Sequence, residues 1–233
     1  FGYWLRRSEI KMETKIKKIF EKNNLEKVKI VKKIEIGFTN KVYSINNKYI
    51  LKVCHDLENE DKFEREVYFY SFFKKKIPVP EVLVYDKSKN VYDRHYMIYK
   101  MIKGDNLYSK WHILSENDRK KVIKQLCDIL RVVNKASYKG FVNKFNINPK
   151  LDWKRHITSK IKSHLKKIEK KELLSKELIL KLKDFVKKNK SVLDDQKIAL
   201  VYWDAHFDNI LVKGNKIVGI LDFERTELGS IDF

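Results

Sequence analysis

Cysteine, proline and glycine are scarce in this chain, and so is any long apolar run. Its 233 residues include two cysteines (Cys54 and Cys127), three prolines and seven glycines. Two cysteines cannot build a disulfide framework, and these two have no metal-site spacing. A reducing, cytoplasmic setting is expected. The longest unbroken apolar stretch, Ile198 to Trp203, is far too short to span a bilayer, so no membrane partner is expected. Phe1 to Arg7 lack the apolar core of a secretory signal, and residues 1–11 read as an extension ahead of Met12. No internal repeat or flexible linker interrupts the chain. With 43% hydrophobic and 12% aromatic residues it can fill a core, which excludes disorder as the main state. The length suits one large domain or two lobes sharing a cleft, and a monomer is expected.

Charge is unevenly spread. Lys plus Arg number 52 against 31 Asp plus Glu, a formal charge of +21. Lys154 to Lys190 holds fourteen basic and four acidic residues. Such a block raises nucleic acid as a partner, but lysine-rich solvated helix faces explain it as well. Nucleic-acid modules interleave aromatics with basic residues on one surface. Trp153 and Phe185 instead fit helix cores, so no nucleic-acid partner is expected. Val201 to Phe233 runs the other way, with six carboxylates against three basic residues. Acid concentrated in one segment of a basic chain points to a local task.

The first third predicts strands at Val28 to Ile36, Val42 to Ile45 and Tyr49 to Val53, the last two joined at Asn46-Asn47. Counting outward from that turn pairs Ile45 with Lys48 and Lys41 with Lys52, beside the segment Gly37-Phe38-Thr39-Asn40. A helix is expected over Glu58 to Lys75, with the apolar stripe Phe63, Val67, Tyr70 and Phe73. Glu66 falls inside that stripe, where a carboxylate is costly unless a cation meets it. Lys52, in the apolar run Tyr49 to Val53, is the candidate. Strands follow at Val82 to Tyr85 and Tyr96 to Ile102, and Lys103-Gly104-Asp105 marks a lobe boundary. The remainder reads as helical. Ser115 and Asp118 form a capping box ahead of Val122, Leu126, Ile129 and Val133. Further helices are expected over Asp152 to Lys170 and Lys171 to Lys188, with Leu174, Leu178, Leu182 and Phe185 as core.

Near the end, Ile198 to Val201 reads as a buried strand running into Tyr202-Trp203-Asp204-Ala205-His206-Phe207-Asp208-Asn209. Ile210 to Val212 and Ile217 to Leu221 form a hairpin across Gly214-Asn215, setting Val212 against Ile217 and Asn209 against Ile220. Asp222 then emerges at the same end as Asn209. Two oxygen ligands close together suit Mg²⁺ held by few protein groups plus substrate phosphates, and Asp204 can reach the same opening.

This segment resembles the catalytic loop and metal site of the aminoglycoside phosphotransferase and choline kinase family, relatives of protein kinases. Asp204, His206, Asn209 and Asp222-Phe223-Glu224 match its pattern. Gly37-Phe38-Thr39-Asn40-Lys41-Val42-Tyr43 is similar to its phosphate-covering loop, Ile50-Leu51-Lys52 to its lysine strand, and Phe63-Glu64-Arg65-Glu66 to its helix glutamate. Met101-Ile102-Lys103-Gly104 resembles the hinge. The resemblance covers residues 25 to 233 and implies a two-lobed, kinase-like α+β fold. Residues 1–102 would form a nucleotide-binding lobe with an antiparallel sheet and one helix. Residues 103–233 would form a mainly helical lobe carrying the catalytic hairpin. It further implies an Mg²⁺-dependent phosphotransferase using ATP or GTP on a small-molecule hydroxyl. Asp204 would take the acceptor's proton, and Asn209 and Asp222 would hold the ion. Gly37, Phe38, Thr39 and Asn40 would cover the phosphates, Lys52 would contact them, and Glu66 would fix Lys52. Tyr99 and Met101 would line the base pocket, Tyr99 at its back, where a bulky ring favours use of GTP as well as ATP.

Three departures stand out. Tyr202-Trp203 replaces the usual His-Gly, which raises a non-catalytic relative as the rival reading. The phosphate loop has one glycine and a bulky Phe38. The sequence stops soon after Asp222, where relatives continue into helices that help bind the acceptor, so part of that site is expected outside it. Asp208, Glu224 and Glu227 suit a polycationic aminoglycoside, whereas the basic Asp152 to Lys188 segment speaks against one and keeps choline, a methylated sugar, an amino alcohol or a macrolide as alternative acceptors.

Overall fold

The computed structural model describes residues 2–34, 40–54, 60–148, 153–194 and 196–231, with side chains from Lys11 onward. They divide into two units, Phe1–Ile129 with Trp203–Thr226, and Leu130–Tyr202 with Glu227–Phe233. The class is α+β, as expected.

The first unit is built on β1 (Val31–Ile34), β2 (Asn40–Ile45), β3 (Tyr49–Cys54), β4 (Val82–Asp86) and β5 (Tyr96–Lys100), antiparallel in the order β1-β2-β3-β5-β4. Strand β3 is central and covered on both faces, hence its nearly unbroken apolar run. Side chains alternate across it. Leu51 and Val53 pack on helix α1 (Gly2–Lys22), which buries Ile16, Ile19 and Phe20. Ile50 and Lys52 face the opposite side. Helix α1 was not expected, although Ile16, Ile19 and Phe20 stand at helical spacing.

Helix α2 (Glu60–Phe73) buries Phe63, Glu66, Phe69, Tyr70 and Phe73. Phe69, not the half-buried Val67, completes its apolar face. After β5 the chain forms β6 (Asp105–Asn106) and a short helix, α3 (Leu107–Lys110), capped by the Asn106 side chain. Helix α4 (Glu116–Lys135) begins at the expected box: Ser115 Oγ accepts from Asp118 N–H at 3.1 Å and donates to its carboxylate at 2.7 Å. Strand β6 pairs with β8 (Ile210–Lys213), and β8 with β9 (Lys216–Ile220).

Both hairpins correct the expected register. Asn46 and Asn47 do turn the chain, with φ of 54° and 51°, but Lys48 is an extra residue, its carbonyl accepting from Met101 N–H at 2.7 Å. Ile45 therefore lies opposite Tyr49, and Val42, not Lys41, opposite Lys52. In the second hairpin Val212 meets Ile217 as expected, but a bulge follows. Ile210, not Asn209, then lies opposite Ile220, and the Asn209 carbonyl accepts from Leu221 N–H at 2.8 Å. Counting from a turn assumes no bulge; one extra residue shifts all pairs beyond it.

The second unit contains α5 (Lys139–Lys144), α6 (Trp153–Lys170), α7 (Lys176–Lys188), β7 (Ile198–Tyr202) and β10 (Thr226–Ser230), the two strands paired. Trp153 and Leu165 are buried on α6. The expected α7 core is corrected: Leu174, Leu178 and Phe185 are exposed, Phe185 by 63%. Its inward residues are Ile179, Leu182 and Val186, a narrower face offset from the predicted stripe.

Candidate active site

Asp222 directly follows β9 and Leu221, and two anchors set where it points. Behind it, Ile220 N–H donates to Pro78 O at 2.7 Å. Ahead of it, Phe223 opens a turn of 3₁₀ helix and packs its ring against Phe73, Tyr70 and Phe69, with centroids 5.6 to 6.2 Å apart. Between these anchors Asp222 adopts a left-handed backbone, φ 61° and ψ 62°. That region costs an L-residue roughly 1–2 kcal/mol, and Asp and Asn tolerate it best. Its N–H donates to the Tyr70 hydroxyl at 2.9 Å.

Lys52 reaches this point from β3. Its Nζ lies 2.6 Å from Glu66 Oε2 and 3.2 Å from Asp222 Oδ1. The pairing of Lys52 with Glu66 expected from the apolar stripe is thus present, and it is buried, Lys52 6% and Glu66 1% exposed. Burial opposes the Lys52 charge, but the Glu66 and Asp222 carboxylates outweigh it and raise its pKa above the ordinary lysine value. Burial pushes the Glu66 carboxyl up to about 7, against the pull of Lys52. Carboxylate oxygens of Glu66, Asp222 and Glu224 all lie within 4.8 Å of one another. Lys52 already supplies the positive charge between the first two.

Lys52, Glu66 and Asp222 line a cavity of about 340 Å³, together with Asn40 and Asn209. Its walls are apolar: Val42, Ile50, Met101, Ile102, Leu211 and Leu221. Tyr99 and Tyr70 close one side, their rings 6.1 Å apart and edge-on. The Met101 N–H is taken by Lys48 O at 2.7 Å and is not free to meet a ligand in this space. Gly104 and Gly219 allow the segment after β5 to lie against the hairpin. A Cβ on Gly104 would stand 2.7 Å from Val218 Cγ2 and 3.2 Å from Val212 O; one on Gly219 would stand 2.9 Å from Ile102 Cδ1.

Asp204 is not among the cavity's lining residues. It lies on the loop after β7, half-buried, with Oδ1 3.3 Å from His206 Nε2. Its carbonyl accepts from the Asn209 side chain at 3.0 Å and from His206 N–H at 2.7 Å. Asn209 thereby joins the Asp204 loop to the cavity floor. Gly37, Phe38 and Thr39 lie outside the described residues; Asn40, the next residue, lines the cavity.

Two further residues belong to this cluster: Tyr70, which the sequence marks only as packing, and Glu224, which it marks only as part of the family pattern and as an acceptor-side carboxylate. Tyr70 reads as apolar stripe, and only its position four residues after Glu66 hints at a polar contact. Glu224 is 5% exposed and accepts from Asn40 Nδ2 at 3.4 Å. Burial raises its pKa, with the Asp222 charge adding to the effect. Its signal was the second carboxylate after Asp222-Phe223.

The profile of the phosphotransferase enzyme family matches residues 30–233. No curated protein matches the chain by sequence. Solved structures do resemble it. The aminoglycoside phosphotransferase APH(2'')-IIa, in a ternary complex with streptomycin and ATP, superposes with a TM-score of 0.71 at 22% identity, covering 91% of this chain and 72% of that one. ADP-bound APH(2'')-Ib gives 0.73 at 21% identity, covering 93% and 72%. A complex of a third such enzyme with GDP and kanamycin gives 0.73 at 16% identity, covering 92% and 73%. The fold is the kinase-like fold of these enzymes.

Proposed function

We propose that this chain, which belongs to the phosphotransferase enzyme family, moves the terminal phosphate of ATP or GTP to a small-molecule hydroxyl, with Mg²⁺. The observation that carries this reading is the convergence of Lys52, Glu66, Asn209 and Asp222 on one apolar-walled cavity. A flat purine suits the space between Val42, Ile50, Met101 and Leu211. Lys52 meets the nucleotide phosphates, and Glu66 holds its ammonium in place. Residues 37–40 cover the phosphates. Asn209 and Asp222 offer two oxygen ligands on the same cavity, the donor type and number that suit Mg²⁺ beside phosphate. When bound there, the ion neutralises charge on the phosphate oxygens. The Asp204 carboxylate takes the acceptor's proton as that oxygen attacks the terminal phosphorus, and the nucleoside diphosphate leaves. Positioning and charge neutralisation are most of what phosphoryl transfer asks of a protein. In this reading residues 1–102 are the nucleotide lobe and 103–233 supply the catalytic loop and metal ligands.

The relatives' structures contain streptomycin with ATP, ADP, and kanamycin with GDP. Of the carboxylates expected to meet a polycationic aminoglycoside, Asp208 is exposed at the cavity and supports such an acceptor, whereas Glu224 is buried. Tyr99, buried against the cavity, is the residue that would set the choice between adenine and guanine. Comparing turnover with ATP and GTP tests this; strict ATP use removes the Tyr99 argument. A nucleotide-consumption screen with aminoglycosides, choline and sugar alcohols tests the whole reading. One class should stimulate turnover, and Asp204→Asn should abolish it while nucleotide binding persists. Magnesium-dependent nucleotide binding with no turnover on any acceptor would point instead to a non-catalytic relative.

A further inference from the structure

A closed circuit of four side chains and one backbone amide joins β3, α2 and the Asp222 turn. Lys52 Nζ binds Glu66 Oε2 at 2.6 Å, and the Tyr70 hydroxyl lies 2.6 Å from Glu66 Oε1. The Asp222 N–H reaches that hydroxyl at 2.9 Å, and Asp222 Oδ1 returns to Lys52 at 3.2 Å. A phenol has one proton to give and lone pairs to receive, so the directions here are fixed. Tyr70 donates to the carboxylate and accepts from the amide. Both Glu66 oxygens are thereby engaged, one by the cation and one by the phenol.

We propose that Tyr70 is a positioning residue: its hydroxyl holds the Asp222 backbone in the left-handed conformation that turns the carboxylate toward Lys52 and the cavity. The metal role it serves rests on the phosphotransferase reading above; the lock itself does not. The ring cannot turn away from this task. Tyr70 is 1% exposed, and Phe223 and Tyr99 stand edge-on to it, with centroids 6.0 and 6.1 Å away. The Asp222 backbone sits where L-residues do not rest by preference, so an amide partner placed by a rigid helix is a direct way to keep it there. Placement of Lys52 and of a metal-ligating carboxylate is then set by one helical turn, through Glu66 and Tyr70. Residues behind a metal ligand commonly matter in this manner, with 10- to 100-fold losses in metal affinity on their removal.

Tyr70→Phe keeps the ring and its packing and removes only the hydroxyl. Two readouts follow. The first is hydrogen exchange of the Asp222 amide, which needs neither nucleotide nor metal. In the wild type it should exchange as slowly as the amides of the α2 core, and in Tyr70→Phe far faster, with the rest of α2 unchanged. The second is the magnesium concentration that half-saturates nucleotide binding, which should rise about tenfold, while binding of nucleotide without the ion stays the same. Wild-type amide protection in Tyr70→Phe overturns the proposal. So does a wild-type Asp222 amide that exchanges freely, a result that needs no variant. Loss of amide protection with an unchanged magnesium requirement overturns the metal role. If the wild type binds no magnesium nucleotide, the phosphotransferase reading fails, and the exchange readout still decides whether the hydroxyl holds the backbone.

Discussion

Lys52 owes its position to two opposite demands. It stands on a central strand whose neighbours are apolar, yet its ammonium is fixed between two carboxylates. Removing it would leave Glu66 buried without its cation, an imbalance worth about 3–5 kcal/mol. Lys52→Met should therefore lower stability by that order in urea unfolding. Lys52→Met combined with Glu66→Met should recover much of the loss, because the fully buried carboxylate is then gone and Asp222, which also loses its cation, keeps access to solvent; a double variant as weak as the single one would contradict the pairing account. This pair was legible in the sequence, since a carboxylate at a buried helical position demands a cation. The hydroxyl role of Tyr70 and the burial of Glu224 were not. A tyrosine in an apolar stripe looks like packing until its hydroxyl's partners are known. The burial of Glu224 follows from how the turn after Asp222 packs, which residue spacing does not encode.

Elements are joined by a few specific contacts. The last turn of α1 is tied to the sheet through Asp86, whose carboxylate takes Lys22 Nζ at 2.6 Å, the Tyr96 hydroxyl at 2.9 Å and Ser88 N–H at 2.7 Å. Burial opposes that charge, but these bonds prevail and hold the Asp86 pKa well below its ordinary 3.8. A carboxylate depressed in the folded state stabilises above its unfolded pKa, and that stability fades as pH falls below it. The thermal midpoint should therefore drop steeply with acid below about pH 4, and less steeply in Asp86→Asn. Parallel pH curves for the two proteins would contradict the assignment. Where the segment after β5 meets the hairpin, Gly104→Ala should cost about 1–3 kcal/mol, since backbone and a branched side chain block the new methyl. Gly219→Ala should cost less, as Ile102 Cδ1 can swing aside. Most of these elements follow from the sequence's periodicity, but both hairpin registers slipped by one residue. An extra residue such as Lys48, whose carbonyl accepts from Met101 N–H just after β5, is not contained in local counting.

At the scale of the molecule, the family is read from motif order rather than from any one motif. Segments similar to the family's lysine strand, helix glutamate, hinge, catalytic loop and metal aspartate succeed one another over residues 30–233, the span the family profile matches. Net charge says less. The lysines of α6 and α7 mostly line exposed faces, and two leucines expected in the α7 core, Leu174 and Leu178, are exposed beside them. No helix among the described residues is long and apolar enough to cross a membrane. Ligand binding should report on the cavity, because nucleotide that binds only the folded state stabilises by about 2.7 kcal/mol at a hundredfold excess over Kd. The thermal midpoint should rise with magnesium nucleotide more than with either component alone, and this synergy should vanish in Asp222→Asn, a substitution that preserves tolerance of the left-handed backbone.

The most direct measurement follows the phosphate itself. The chain would be incubated with magnesium, nucleotide labelled at its terminal phosphate and a panel of hydroxyl acceptors, and the label then traced by mass spectrometry. Label on an acceptor hydroxyl, lost in both Asp204→Asn and Asp222→Asn, is the predicted result. Label that never leaves the nucleotide, or that transfers equally well without Asp204 or Asp222, would contradict the account.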